Sequence, residues 1–214
     1  MDWIDSEIAS KKYNSYDKDG VKTYNKCNVF MDDMAQRGWG VALPRLKDDM
    51  FVKEYGYTSS PGRNVFKGNE EKPMSAASLD DYYEQRSQLR GSGVKRVPFN
   101  AISQLANQGN LVLVVGSGHA TIAAPSKEKW PLIFRSDLGE RGEDKRTRVG
   151  VKNPDKFQYY MIEPNQYNEF SNTLKESGYS DSDVYYQWDE PDKDSHQTKI
   201  REKYKKLHEM LREL

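Results

Sequence analysis

A chain of 214 residues has room for one domain with elaborations, or for one domain and an appendage, and 36% hydrophobic against 31% charged residues set a modest core under a heavily charged surface. The 33 basic and 33 acidic side chains cancel, so no whole-chain field draws nucleic acid or an anionic membrane, while 12% aromatic residues argue against disorder. The single cysteine, Cys27, excludes an internal disulfide and a cysteine-rich zinc site. No stretch approaches the ~20 apolar residues of a membrane span. Residues Met1 to Glu7 lack the basic and apolar regions of a leader, so the chain as given is expected to be soluble.

Trp3, Ile4 and Ile8 recur at helical spacing and give way to a turn at Asp17-Lys18-Asp19-Gly20. The pattern strengthens at Cys27. Phe30 and Met34 lie four apart, Val29 and Met31 flank them, and Gly38 closes the run, which predicts a helix over 27–37 with Asn25 as its N-cap. Cys27 then falls in the first turn, where unpaired amides and the positive end of the helix dipole favour an anion. Residues 39–57 read as a loop and a short helix. The Ser-, Pro-, Gly- and Lys-rich stretch after them reads as a surface excursion inserted over 58–95, with a short helix at Leu79–Arg86 capped by Asp80 or Ser78. Another short helix spans Asn100–Asn107 and breaks at Gly109.

The strongest strand follows. Leu111 to Val115 is an unbroken apolar run, the mark of a strand buried on both faces. Gly116-Ser117-Gly118 is a turn, and His119–Ala124 is the return strand, stopped by Pro125. A third strand falls at 131–134 and a fourth, alternating one at 157–162, with a charged loop over 139–149 between them. Residues 171–195 are polar and acidic around Tyr185-Tyr186-Gln187-Trp188. The tail over 196–214 carries an amphipathic helix, its stripe made by Ile200, Tyr204, Leu207 and Leu211. Such a stripe more often packs on its own domain, here 1–195, than binds a partner.

The residues that carry chemistry are few. A thiol attacks carbonyls as thiolate, and a nearby imidazole is the usual means of forming one near neutral pH. Cys27 is the only thiol, and His119, at the head of a glycine-flanked strand, is the only histidine outside the polar tail, which holds His196 and His208. Each also has a plainer reading: a lone cysteine is commonly a small buried hydrophobe, and a strand-end histidine a satisfied structural residue.

The opening Cys27-Asn28-x-Phe30, the approach Gly109-Asn110-Leu111-Val112 and the segment Gly118-His119-Ala120-Thr121-Ile122, in that order, resemble the NlpC and CHAP group of papain-like amidases. The resemblance spans roughly 20–165. It implies an α+β papain-like fold: a cysteine-bearing helix on an antiparallel sheet of about five strands, with an extra C-terminal helix. It further implies hydrolysis of an amide bond in peptidoglycan through a thioester, with neither metal nor cofactor. Cys27 would be the nucleophile and His119 the base. Asp137 would orient the histidine, with Ser136 as the other polar residue there, and Tyr24 or Asn25 would help the Cys27 amide hold the oxyanion. Members often have Gly-Asp where this chain has Gly109-Asn110, and the glutamine of papain-type enzymes is missing. The expected setting is the periplasm or cell wall, as a lysin or an antibacterial effector with an immunity protein as its inhibitor. The alternative is a non-catalytic binding or interaction module on a degenerate version of the same fold.

Overall fold

In the computed structural model, residues 2–9, 27–46, 72–73, 76–116, 119–128, 130–135, 146–178 and 209 are described. The centre of the fold is β4 (Leu111–Gly116), all six residues of which are buried, as an apolar run covered on both faces requires. It pairs antiparallel with β5 (His119–Ala124) on one side and with β8 (Phe157–Ile162) on the other. β3 (Val94–Arg96) extends the sheet beyond β8, while β6 (Leu132–Phe134) and β7 (Arg148–Gly150) extend it beyond β5. The result is an open six-stranded sheet in the order β3-β8-β4-β5-β6-β7, antiparallel throughout. A separate two-stranded pair joins β1 (Arg45–Leu46) to β2 (Lys72–Pro73).

Five α-helices are present among the described residues: α1 (Asp2–Ala9), α2 (Cys27–Trp39), α3 (Ala76–Ser87), α4 (Ile102–Asn107) and α5 (Pro164–Glu176). Four of them share one face of the sheet. Ile4 and Ile8 of α1, Phe30, Met31 and Met34 of α2, Leu79, Tyr82 and Tyr83 of α3, and Tyr167, Phe170 and Leu174 of α5 form one cluster with Leu111, Leu113, Val115, Ala120, Ile122 and Ala124. The other face is covered more thinly. There α4 contributes Ile102 and Ala106 to a second, smaller cluster with Val112, Val114, Ala123, Ile133, Val151 and Tyr159. The fold is therefore α+β, with an antiparallel sheet between unequal helical layers.

Several elements depart from the sequence reading. α3 begins at Ala76, so Asp80 lies inside the helix and not at its cap. From Ala76 onward the stretch expected to be a surface excursion contributes to the core, since Leu79, Tyr82, Tyr83 and Val94 are buried. Residues 40–46 are loop ending in β1, and the rest of the 39–57 stretch, where a short helix is expected, lies outside the described residues; β3 and α5 have no counterpart in the sequence reading. The charged loop over 139–149 contains at its end the first residues of β7, whose Arg148 is half-buried and bound to Asp5 of α1. The tail helix proposed for 196–214, apart from Glu209, lies outside the described residues, as does the aromatic island at 185–188.

Candidate functional site

α2 forms where the 3.6-residue stripe is clearest. Cys27, Phe30, Met31, Met34 and Ala35 are its buried apolar positions, so the thiol occupies the first turn of the core-facing stripe. Gly40, in the left-handed conformation (φ 67°), ends the helix, and the buried carboxylate of Asp32 accepts the Leu43 N–H at 3.0 Å, fixing the chain as it leaves. α2 lies across β5, the strand that His119 opens, which is the packing the sequence suggested. Cys27 itself is buried within the larger cluster, alongside Ala120, Ile122 and Ala124.

His119 stands on the other side of the sheet. Side chains directly opposite one another in paired strands share a face, and successive residues alternate. Leu113 pairs with Ile122 and with Tyr160, and Val115 with Ala120; all five belong to the helix-rich face that holds Cys27. The intervening row, Val114 with Thr121 and Tyr159, turns to the α4 face, where Val114 and Tyr159 join the smaller cluster. Two rows further, Gly116 pairs with His119 and with Phe157 on that same α4 face. The imidazole meets the Phe157 ring edge-on, with centroids 6.5 Å apart and an interplanar angle of 80°, and Phe157 packs against the smaller cluster. By strand parity the register therefore assigns His119 to the face opposite the cluster that holds Cys27. Gly116 is required where it is: a Cβ there would overlap the Lys156 carbonyl oxygen and lie 3.0 Å from Phe157 Cα, so its bare backbone lets the start of β8 close over this corner.

Asp137 and Ser136, expected to orient the histidine, and Tyr24 and Asn25, expected at the oxyanion, lie outside the described residues. Among the described residues no group of three His, Cys, Asp or Glu side chains is placed to hold a metal ion.

Two polar clusters went unnoticed in the sequence. The first lies where α3 crosses the sheet edge. Tyr160 of β8 donates its hydroxyl hydrogen to Glu84 at 3.1 Å, Arg96 of β3 pairs with the same carboxylate at 3.2 Å, and Arg96 also bonds Gln158. One turn before Glu84, half-buried Asp80 has its pKa pushed up to about 6, chiefly by burial and then by the neighbouring Asp81 and Glu84. Burial, Asp80 and Glu84 also push the Tyr160 phenol far above its ordinary range.

The second cluster surrounds Arg86, whose side chain is wholly buried on α3. Its guanidinium donates to Tyr82 Oη at 2.6 Å, to the Tyr167 carbonyl at 2.8 Å and to Ser171 Oγ at 2.9 Å, and lies 3.6 Å over the Tyr167 ring. The Asp80/Glu84 pair, at i and i+4 on one helix, was readable as two carboxylates sharing a face. Its meeting with Tyr160 and Arg96 needed the sheet.

Comparison with protein-family models, with curated proteins and with solved structures finds no match. Fold and site therefore define an α+β domain with a cysteine-bearing helix laid across an antiparallel sheet. No helix among the described residues is long and apolar enough to cross a membrane.

Proposed function

We propose that the chain is a non-catalytic binding or interaction module, in which Cys27 serves as a packing residue. The observation that supports this reading is sidedness: Cys27 belongs to the same core cluster as Ala120, Ile122 and Ala124, whereas His119 shares its row with Gly116 and Phe157 on the opposite face. A nucleophile and its base must come within hydrogen-bond reach, about 2.6–3.2 Å, and a strand register that assigns the two side chains to opposite faces argues against that.

A second reading keeps one specific support. α2 presents its only thiol in the first turn and lies across the strand that His119 opens, the order expected of a papain-like amidase. In that reading Cys27 attacks an amide carbonyl of a peptidoglycan stem peptide, His119 takes the thiol proton and returns it to the leaving amine, and water releases the thioester. The site of action would then be the periplasm or cell wall.

Alkylation of Cys27 in the full chain separates the two. For a packing residue, iodoacetamide reacts slowly at pH 7, denaturant accelerates it by orders of magnitude, and His119→Ala leaves the native rate unchanged. Fast native alkylation that His119→Ala slows tenfold or more overturns the non-catalytic reading. New peptidoglycan termini released by the wild type and absent with Cys27→Ala, read by mass spectrometry, would then assign the amidase reading.

A further inference from the structure

Where α3 meets the sheet edge, a carboxyl group sits in surroundings that disfavour its charge. Asp80 Oδ1 is closed off from solvent and accepts no hydrogen bond. A charged oxygen in that position forfeits its hydration without compensation, whereas the neutral acid forfeits far less. The groups facing it on its own helix are the acids Asp81 and Glu84, both of which oppose ionisation. From β8 comes Tyr160, whose single hydroxyl is shared between two acids: it donates to Glu84 at 3.1 Å and also hydrogen-bonds the Asp80 side chain. From β3 comes Arg96, whose charge is engaged by Glu84 at 3.2 Å. Tyr160 and Arg96 favour the Asp80 anion, and burial with the two acids outweighs them. The same helix carries Leu79, Tyr82, Tyr83 and Arg86 into the main core, so whatever strains this seam strains the packing of α3.

We propose that the seam between α3 and the β3–β8 edge is a proton-dependent clasp: the fold holds Asp80 as a neutral acid, and loss of that proton loosens α3 from the sheet. The sign follows from linkage. Asp80 titrates higher in the folded chain, at about 6, than at its ordinary value of 3.8, so the folded state binds the extra proton. Its stabilising contribution is complete below the lower value and is lost as pH rises through the higher one. This inference is independent of whether Cys27 is catalytic, and none of its residues belongs to that question.

The test is urea unfolding of the full chain and of Asp80→Asn at pH 4 and pH 7. Asn keeps the shape and cannot ionise, so comparison with it cancels every titrating group not coupled to Asp80. A carboxyl group titrating at about 6 in place of 3.8 would change the folding constant by about a hundredfold if fully sheltered. Half-exposure reduces this to about tenfold. The expected result is a wild-type folding constant that falls about tenfold relative to Asp80→Asn between the two pH values. Amide protection of α3, referenced to that of α5, should fall with it in the wild type alone. Parallel stabilities at both pH values overturn the proposal. If Asp80→Asn does not fold, the side-chain carboxyl resonance of Asp80 in the wild type decides directly, and a titration midpoint below about 4.5 overturns it.

Discussion

Replacing Arg86 by Met tests whether the buried guanidinium holds the helical layer together or merely fills it. Met keeps most of the apolar stem and removes every donor. Three short bonds are lost, to Tyr82 Oη, the Tyr167 carbonyl and Ser171 Oγ at 2.6, 2.8 and 2.9 Å. At about 1.5 kcal/mol each for bonds to a charged donor, they amount to about 4–5 kcal/mol. The guanidinium also lies over the Tyr167 ring at 3.6 Å and near that of Phe170 at 4.9 Å, a cation–π contact of about 1–2 kcal/mol at a dehydrated site. Against this stands the relief of no longer burying a charge, which returns several kcal/mol. With about 3 kcal/mol returned, the net loss is about 3 kcal/mol. For a urea m-value of about 2 kcal/mol/M this lowers the unfolding midpoint by about 1.5 M, with m unchanged. Because α5 receives two of the three bonds, its amides should lose protection before those of β4. A midpoint unchanged within about 0.2 M, or raised, would refute the reasoning and show that a hydrophobic residue of similar size suits the site as well.

Two further perturbations probe the corners of the sheet. Gly116→Ala drives a methyl group into the Lys156 carbonyl and toward Phe157 Cα, both backbone, so the start of β8 must move. A loss of about 2–3 kcal/mol in thermal or urea unfolding is expected, with the His119 ring resonances shifted as Phe157 is displaced; an unchanged midpoint and spectrum would contradict the close approach. Asp5→Ala removes the acceptor that Arg148 Nε reaches at 3.1 Å and that the Thr147 hydroxyl also uses. About 2 kcal/mol should be lost, since both charged groups are largely sheltered, and α1 should become the first site of limited proteolysis. Protection of α1 equal to the wild type would show that Ile4 and Ile8 suffice to hold it.

The elements readable in the sequence were those whose partners are local or whose period is strong. α2 declares itself through Phe30, Met31 and Met34, and β4 through five consecutive apolar residues, because each pattern needs only its own helix or sheet face to be interpreted. α5 carried a stripe of Tyr167, Phe170 and Leu174 with Pro164 in its first turn, but the polar residues between them masked the period. β7 was illegible for a different reason. Its arginine reads as a solvated loop residue until α1, some 143 positions earlier, supplies Asp5 as its partner.

The Cys27–His119 pairing shows the same boundary between order and geometry. Chain order put a thiol-bearing helix before a histidine-headed strand, and the fold does lay α2 across β5. What order omits is parity, although the residues of β5 carry it: Ala120, Ile122 and Ala124 form the small apolar set against which a helix packs closely, leaving His119, Thr121 and Ala123 for the other face. A one-residue slip of β5 against β4 would turn His119 toward α2. It would also turn Ala120, Ile122 and Ala124 away from the main core. Thr121, now buried with its hydroxyl donating to the Phe134 carbonyl at 2.7 Å, would have to leave that partner for an apolar helix surface. Three core side chains and a buried hydroxyl thus weigh against one partly buried imidazole, so the register that buries the alanines also sets the face of the histidine.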